Sequence, residues 1–171
     1  STHVYLNHNS GYLKSKKNRE LIRNIVLNAR EKKDTLTKFD SVLNTFIPNG
    51  IMLEDYYRVE SKNLKIDKIK KEKLRIVFPY GIFLETSVKT IVSEFEQAGF
   101  EVSYLNVKGK DLLVPIQSGE FDLIFIPYQG VIPDPDGYLD LLTENSLMKK
   151  ASVPAGKYLK EIETVRFTKD R

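Results

Sequence analysis

Residues 74–107 read LRIVFPYGIFLETSVKTIVSEFEQAGFEVSYLNV, and their pattern decides the class of fold. Residues 74–78 form a short apolar run that is typical of a buried strand. Residues 85–98 place their apolar side chains on one helical stripe, and Gly99 directly after them is a common helix terminator. Residues 100–107 then alternate in a way that predicts a second strand. The stretch therefore predicts a strand–helix–strand unit.

The chain downstream of this unit continues in the same alternating order. Residues 111–118 predict a short helix, which Pro115 shortens or distorts because proline cannot donate a backbone hydrogen bond. Residues 121–126 are almost entirely apolar, as in a strand with both sheet faces covered, and residues 154–168 predict a final amphipathic helix. Alternating strands and helices predict an α/β fold, with a mostly parallel sheet, right-handed crossovers and flanking helices.

The residues before this core predict a strand and two helices. Residues 3–9 favour a short strand, and residues 17–29 and 35–46 each place apolar side chains on one helical face. The breakers in residues 46–50 (FIPNG) end the second helix.

A strongly basic stretch lies between these two parts. Residues 61–75 contain six lysines and Arg75. Such a stretch could bind phosphates, but no aromatic or glycine-rich partner is interleaved, which favours a solvated linker. The predicted organisation is thus a strand plus helical pair in residues 1–60, a basic linker in 61–73 and a βαβαβ-α core in 74–171.

Composition narrows the class of protein. With 171 residues, 41% of them hydrophobic, the chain can bury the core of one domain, and its net charge of +4 is spread over many lysines. The absence of cysteine excludes disulfides, cysteine-ligated metals and thiol catalysis. No run of 18 apolar residues occurs, so the sequence predicts no membrane span. Because the chain starts at Ser1 and runs at once into an apolar strand, we expect an internal piece of a longer protein.

Two similar loops are predicted at the edge of the sheet where ligands collect. In an open parallel α/β sheet, ligands bind beyond the carboxyl ends of the strands. Residues 79–83 (PYGIF) and 127–132 (PYQGVI) follow two predicted strands, and each loop holds a tyrosine, a glycine and large apolar side chains. This mixture suits a pocket for a small organic ligand or a peptide. The alternative is that Phe83, Ile132 and one tyrosine simply cap the core.

The carboxylates beside the second loop could be read as a metal or catalytic site. Asp134 and Asp136 resemble the start of a calcium loop, but the required glycine and distal glutamate are absent at their spacing. The pair could also act as a general acid and base, although sequence spacing does not give their separation. Helix capping is simpler: Asp134 as the cap, Pro135 in the first turn and Asp136 near the positive end of the helix dipole.

Other patterns of catalysis or metal binding are not found in the sequence. His3 and His8 lack ligand spacing with any third group, and there is no Ser/His/Asp arrangement, P-loop or GxGxxG motif. The sequence therefore predicts no catalytic residue, no metal site and no cofactor.

Short motifs along the chain occur in a recognisable order. Residues 4–9 (VYLNHN) look like a strand that ends in asparagine, and residues 18–31 look like a helix pair of the form RxAI…AIDRE. Residues 46–50 stand where a Pro-Pro-Gly loop would follow. In this order, the motifs resemble those of the family 5 extracellular solute-binding proteins, the receptors that deliver dipeptides, oligopeptides, nickel complexes and related solutes to ABC importers.

The strongest similarity to this family lies downstream. Residues 97–102 (QAGFEV) are similar to its AGI.V unit, and residues 116–123 (IQSGEFDL) to its SGDFDL signature. Residues 128–136 (YQGVIPDPD) stand where WGADYPDPD is usual. Each motif alone is weak, but their order and spacing together are specific.

The resemblance implies a type II periplasmic-binding-protein-like lobe, with residues 1–171 forming part of the C-terminal lobe of a two-lobed receptor. Such a receptor is the substrate-binding component of an ABC importer, is not an enzyme and works in the periplasm or elsewhere outside the cytoplasm. Its implied partners are a peptide or small-molecule ligand, the ABC permease subunits and the missing N-terminal lobe of the same chain. No nucleic acid is expected, and the membrane would be reached only through a lipid anchor outside this segment.

The ligand-binding residues that we expect in this chain are Tyr80, Tyr128, Gln129, Gly130 and Val131. Tyr128 could stack on a ligand, while the Gln129 side chain and the Gly130 backbone could form hydrogen bonds with it. Peptide-binding members often hold the α-amino group with an aspartate at the position of Val131 and have tryptophan at that of Tyr128. Valine cannot partner a buried ammonium, so this peptide-amine clamp is not expected here unless Asp134 or the other lobe supplies an acid.

Two other functions stay open at this point. The same kind of lobe is sometimes fused to a DNA-binding domain and forms the solute-sensing part of a transcriptional regulator. The less favoured alternative is a Rossmann-like enzyme that uses Asp122, Asp134 or Asp136, although a fold alone assigns no chemistry.

Overall fold

The computed structural model describes residues 2–30, 32, 64–83 and 85–127. The strands are Thr2–Leu6 (β1), Glu72–Pro79 (β2), Phe100–Val107 (β3) and Leu123–Pro127 (β4). The α-helices are Lys16–Arg30 (α1), Glu85–Ala98 (α2) and Leu113–Ser118 (α3). Single 3-10 turns occupy Tyr12–Lys14 and Gly109–Leu112.

The strands form one mixed sheet in the order β1-β4-β2-β3. β2 lies between β3 and β4 and pairs in parallel with both, whereas β1 pairs antiparallel with β4. The predicted α/β fold with a mostly parallel sheet is therefore confirmed. We call the side where β2, β3 and β4 end the carboxyl edge, and the side where they begin the amino edge.

Helices α1 and α2 cover one face of this sheet with an apolar core. The stripe predicted on α2 is buried, and so are Leu74, Ile76 and Phe78 on β2. Phe78 stacks on Phe125 of β4 with 4.8 Å between the ring centroids. The two central strands are thus joined by aromatic packing as well as by backbone hydrogen bonds.

Helix α3 covers part of the opposite face. Val77 and Ile124, from the two central strands, cluster with Ile116 of α3, and Tyr5 and Phe121 complete this second cluster. Because apolar side chains cover both faces of β4, its sequence is a nearly continuous apolar run instead of an alternating one.

Several elements differ from the sequence prediction at their ends. The helix predicted in residues 111–118 is divided into a 3-10 turn and α3, and Pro115 lies in the first turn of α3, where no backbone N–H is needed. β4 begins at Leu123 because the chain bends at Asp122. β1 ends at Leu6 because the next residues turn, with the Asn9 backbone N–H donating to the Asn7 side chain at 3.0 Å.

The turn between α2 and β3 requires a glycine. Gly99 has a φ of +107°, which L-residues rarely adopt, and a β-carbon at this position would lie 2.5 Å from the Ile69 carbonyl oxygen. Conformation and space both exclude a larger residue here.

Several predictions fall outside the described ranges. These are the second helix (35–46), the breakers in 46–50, the final helix (154–168) and the capping role of Asp134 and Asp136. The domain boundaries near residues 60 and 73 also stay predictions. Within the described ranges, every helix is too short or too polar to cross a lipid bilayer.

Candidate functional site

The loop that follows β2 lies on the carboxyl edge and separates exposed from buried apolar side chains. The Tyr80 backbone N–H donates to the Val107 carbonyl at 2.7 Å, which ties the loop to the end of β3. Gly81 then turns the chain with a φ of +81°. Tyr80 and Ile82 are left 61% and 53% exposed. Such exposure is high for large apolar side chains and marks the loop as a candidate contact surface.

Phe83 takes the opposite role in this loop. Its ring packs edge-on against Phe78 at 5.8 Å and against Phe125 at 5.3 Å, measured between centroids. Of the two interpretations open from the sequence, core capping therefore describes Phe83, whereas Tyr80 and Ile82 face outward.

A lysine joins the aromatic side chain at this edge. Lys108 directly follows β3, and its Nζ lies 4.8 Å from the centroid of the Tyr80 ring, within the range of a cation–π interaction. The described part of the candidate site thus presents an aromatic ring with a cation over its face. No local pattern in the sequence points to Lys108, because the parallel pairing of β2 and β3 is what brings the two strand ends together.

The other predicted ligand-binding residues, Tyr128, Gln129, Gly130 and Val131, lie outside the described residues. In the sequence they directly follow Pro127, which ends β4 at the carboxyl edge. Their roles stay predictions, as do those of Asp134 and Asp136.

Two of the three buried polar side chains among the described residues, Asn7 and Asp122, lie at the other end of the sheet. Asp122 is 5% exposed and precedes β4. One of its carboxylate oxygens accepts from the Arg75 backbone N–H at 2.7 Å, and the other accepts from the Ser10 hydroxyl at 2.6 Å. The Arg75 guanidinium donates to both oxygens at longer range, 3.3 and 3.4 Å. A buried carboxylate with these hydrogen-bond partners stabilises the fold. Because both of its oxygens already accept hydrogen bonds, it is poorly suited to the acid–base role considered from the sequence.

Asn7, the residue after β1, joins the first strand to Asp122 and to the turn before β4, and we call this group of hydrogen bonds the junction. Its side-chain amide donates to the Gly119 carbonyl at 3.0 Å and to the Phe121 carbonyl at 2.9 Å, while its backbone N–H donates to the Asp122 carbonyl at 2.9 Å. These bonds join the first strand to the turn between α3 and β4. In the sequence, their signal is the asparagine after β1 and the SGEFDL motif more than a hundred residues later.

An open polar cleft of about 510 Å³ lies beside this junction. Its walls include Asn9, Ser10, Arg75 and Gln117. Because it lies where β4 begins, it is remote from the exposed aromatic loop on the carboxyl edge.

The two histidines of the sequence lie at opposite ends of β1 and are not brought together. Burial lowers the pKa of His3 from 6.5 to about 4, and burial and the nearby Arg19 lower the pKa of His8. Among the described residues, no three His, Cys, Asp or Glu side chains are placed to hold a metal ion.

Comparison with known proteins bears on this architecture. No protein-family model matches the chain, and no curated protein matches it. Solved structures do: Burkholderia pseudomallei OppA superimposes with a TM-score of 0.75 at 14% identity, over 99% of this chain and 37% of OppA. MppA, a periplasmic murein tripeptide binding protein in its unliganded open form, gives 0.73 at 14% identity, over 98% of this chain and 36% of MppA.

The chain has the fold of solute-binding proteins. A third match supports this statement, since NikA from Brucella suis, in complex with Fe(III)-EDTA, gives a TM-score of 0.64 at 17% identity, over the whole chain and 40% of NikA. The resemblance drawn from the sequence, with its type II binding-protein fold, is confirmed at the level of the fold. These neighbours are binding proteins and not enzymes, and the chain spans only between 36% and 40% of their length.

Proposed function

We propose that the chain belongs to the family 5 solute-binding proteins and forms part of the C-terminal lobe of a receptor for an ABC importer. Its fold supports the proposal, as does its coverage of little more than a third of the OppA and MppA chains, which fits one lobe of a longer receptor. The periplasmic location given for MppA supports a place outside the cytoplasm. The ligand would be a peptide or another small solute, held between this lobe and the N-terminal one.

The observation that carries the proposal is the exposed aromatic loop on the carboxyl edge. Tyr80 and Ile82 project from a turn whose backbone is fixed to β3, so they offer apolar contact area with little loss of conformational entropy on binding. We assign the ligand-facing wall of this lobe to Tyr80, together with Tyr128, Gln129, Gly130 and Val131. Lys108 adds a positive charge to the same wall.

The mechanism is closure driven by differential affinity. A ligand that contacts both lobes binds the closed form more tightly than the open one, and it therefore shifts the population toward the form that docks on the permease. Val131 provides no carboxylate for a peptide amine, so the group that replaces this acid would come from Asp134, the other lobe or the ligand's own chemistry.

The test begins with native mass spectrometry of the full-length receptor purified without added ligand, which identifies any retained solute. Calorimetry with that solute then compares the wild type with Tyr80→Ala, Tyr128→Ala and Tyr80→Phe. We expect each alanine variant to bind about tenfold more weakly, because a lost aromatic contact costs roughly 1.5 kcal/mol, and Tyr80→Phe to keep most of the affinity. Unchanged affinity in both alanine variants, with normal unfolding curves, would remove the assignment of this edge as the ligand wall.

A further inference from the structure

The basic stretch singled out in the sequence is held on the fold as a defined strap. We use the name basic strap for residues 64–73, which run along the amino edge into β2. Ile66 and Ile69 turn inward and pack against the core of α1 and α2. The Ile69 backbone N–H donates to the Ala98 carbonyl at 2.9 Å, and the Leu64 carbonyl accepts from the Asn28 side chain at 3.2 Å. The strap is therefore anchored to both helices and is not a loose linker.

The lysines of the basic strap all point outward. The strap carries two acidic residues, Asp67 and Glu72, against five lysines, all exposed: Lys65, Lys68, Lys70, Lys71 and Lys73. The anchoring isoleucines hold the backbone against the core, and all five cations are exposed to solvent.

Few of these charges are neutralised. Lys65 lies 3.3 Å from Asp67, and Lys71 lies 4.0 Å from Glu101, but all four side chains are more than half exposed. Such exposed ion pairs are weak and exchange readily with other anions. The remaining lysines of the strap form no ion pair within the described part of the chain.

The form of this surface favours one kind of partner. Its cations are spread over nine residues, which span at most roughly 30 Å. A row of charges of this length matches a surface that carries many anionic groups better than it matches a single bound anion. The charges are lysines, which act as point charges, and the strap contains no aromatic side chain on which a nucleic-acid base could stack. We propose that the basic strap is an electrostatic docking surface for a membrane rich in anionic phospholipids.

The position of the strap fits this role. It lies on the amino edge, whereas Tyr80 and Lys108 lie on the carboxyl edge. A protein resting on a membrane through the strap would keep its candidate ligand wall directed away from the lipid. The inference goes beyond the proposed function and does not depend on which solute is bound.

Vesicle cosedimentation of the purified protein tests the proposal directly. Phosphatidylcholine vesicles are compared with vesicles that also contain phosphatidylglycerol, at low and at high salt. We expect binding only to the anionic vesicles, with loss at high salt because added ions screen exposed charges. The triple variant Lys68→Gln, Lys70→Gln, Lys73→Gln should bind roughly a hundredfold more weakly, at about fivefold for each lysine.

The matched control removes the same charge from outside the strap. Its substitutions are Lys17→Gln, Lys89→Gln and Lys110→Gln, and it should bind anionic vesicles like the wild type. Equal losses in the two triple variants would show that net charge alone is responsible and would overturn the proposal. So would equal binding to neutral vesicles, an unaffected strap variant, or binding to duplex DNA in place of vesicles.

Discussion

Replacing Asp122 by alanine should destabilise the fold more than any substitution of an exposed carboxylate. The side chain is buried at the amino end of β4 and accepts hydrogen bonds from Arg75 and Ser10. Removing it leaves the Arg75 backbone N–H without the acceptor that lies 2.7 Å away, and the Ser10 hydroxyl loses its partner at 2.6 Å. Alanine also leaves empty space where β4 begins.

The size of the effect follows from these contacts. A donor that loses its partner in a buried site costs about 1–3 kcal/mol, and Ser10 is only partly buried, so the two lost bonds together cost about 3 kcal/mol. The Arg75 guanidinium adds little, because its side chain is 48% exposed and can be hydrated once the carboxylate is gone. For a urea slope near 2 kcal/mol per molar, the midpoint should fall by about 1.5 M.

Urea unfolding followed by far-ultraviolet circular dichroism measures this difference. Glu120→Ala is the matched control, since it removes an exposed carboxylate two residues away and should change stability by less than about 0.5 kcal/mol. If Asp122→Ala unfolds within about 1 kcal/mol of the wild type, or if the two variants are equally affected, the hydrogen-bonded junction does not have the structural role argued from its geometry.

Two further outcomes follow from the structure. Gly99→Ala should lower the free energy of unfolding by about 2–4 kcal/mol in the same assay, because a β-carbon would strain a positive φ and meet the Ile69 carbonyl. Gly11→Ala is the control and should be nearly neutral, because the space around Gly11 is open. Equal effects of the two substitutions would contradict the steric argument. Burial lowers the pKa of His3 from 6.5 to about 4, so the unfolded chain binds a proton in this range before the folded one does. The contribution of His3 to stability is complete above pH 6.5 and is lost as the pH falls toward 4. Across this range, the free energy of unfolding should decline less steeply in His3→Gln than in the wild type. Parallel declines in the two proteins would show that His3 does not titrate in this way.

Local pattern was enough to predict much of the fold. The bounds of α2 and β3 coincide with the prediction, because a continuous apolar stripe, a terminating glycine and an alternating strand are all readable in neighbouring residues. The ends of β1 and β4 were less well predicted. Both are set by the junction of Asn7 with Asp122, and its partners are separated by more than a hundred residues of sequence.

The candidate site was predictable only in outline. The rule that ligands bind at the carboxyl ends of parallel strands pointed to the loop after β2, but it could not separate Tyr80 from Phe83. The turn at Gly81 and the packing space beside Phe78 and Phe125 decide which of the two side chains is exposed and which packs on the core. Lys108 was missed for a similar reason, because its place over Tyr80 results from the register between two strands.

The sequence by itself determined the α/β class, the positions of the central elements and the resemblance to solute-binding proteins, since each of these depends on periodicity or on motifs of a few adjacent residues. The tertiary structure alone decided that the basic stretch is an anchored strap, that β1 joins the sheet antiparallel to β4, and that Asp122 is a structural carboxylate. The physical reason is the same in each case. A lysine-rich segment or an aspartate has the same local pattern whether solvent or a distant backbone surrounds it, and only the folded chain brings that backbone within hydrogen-bonding distance.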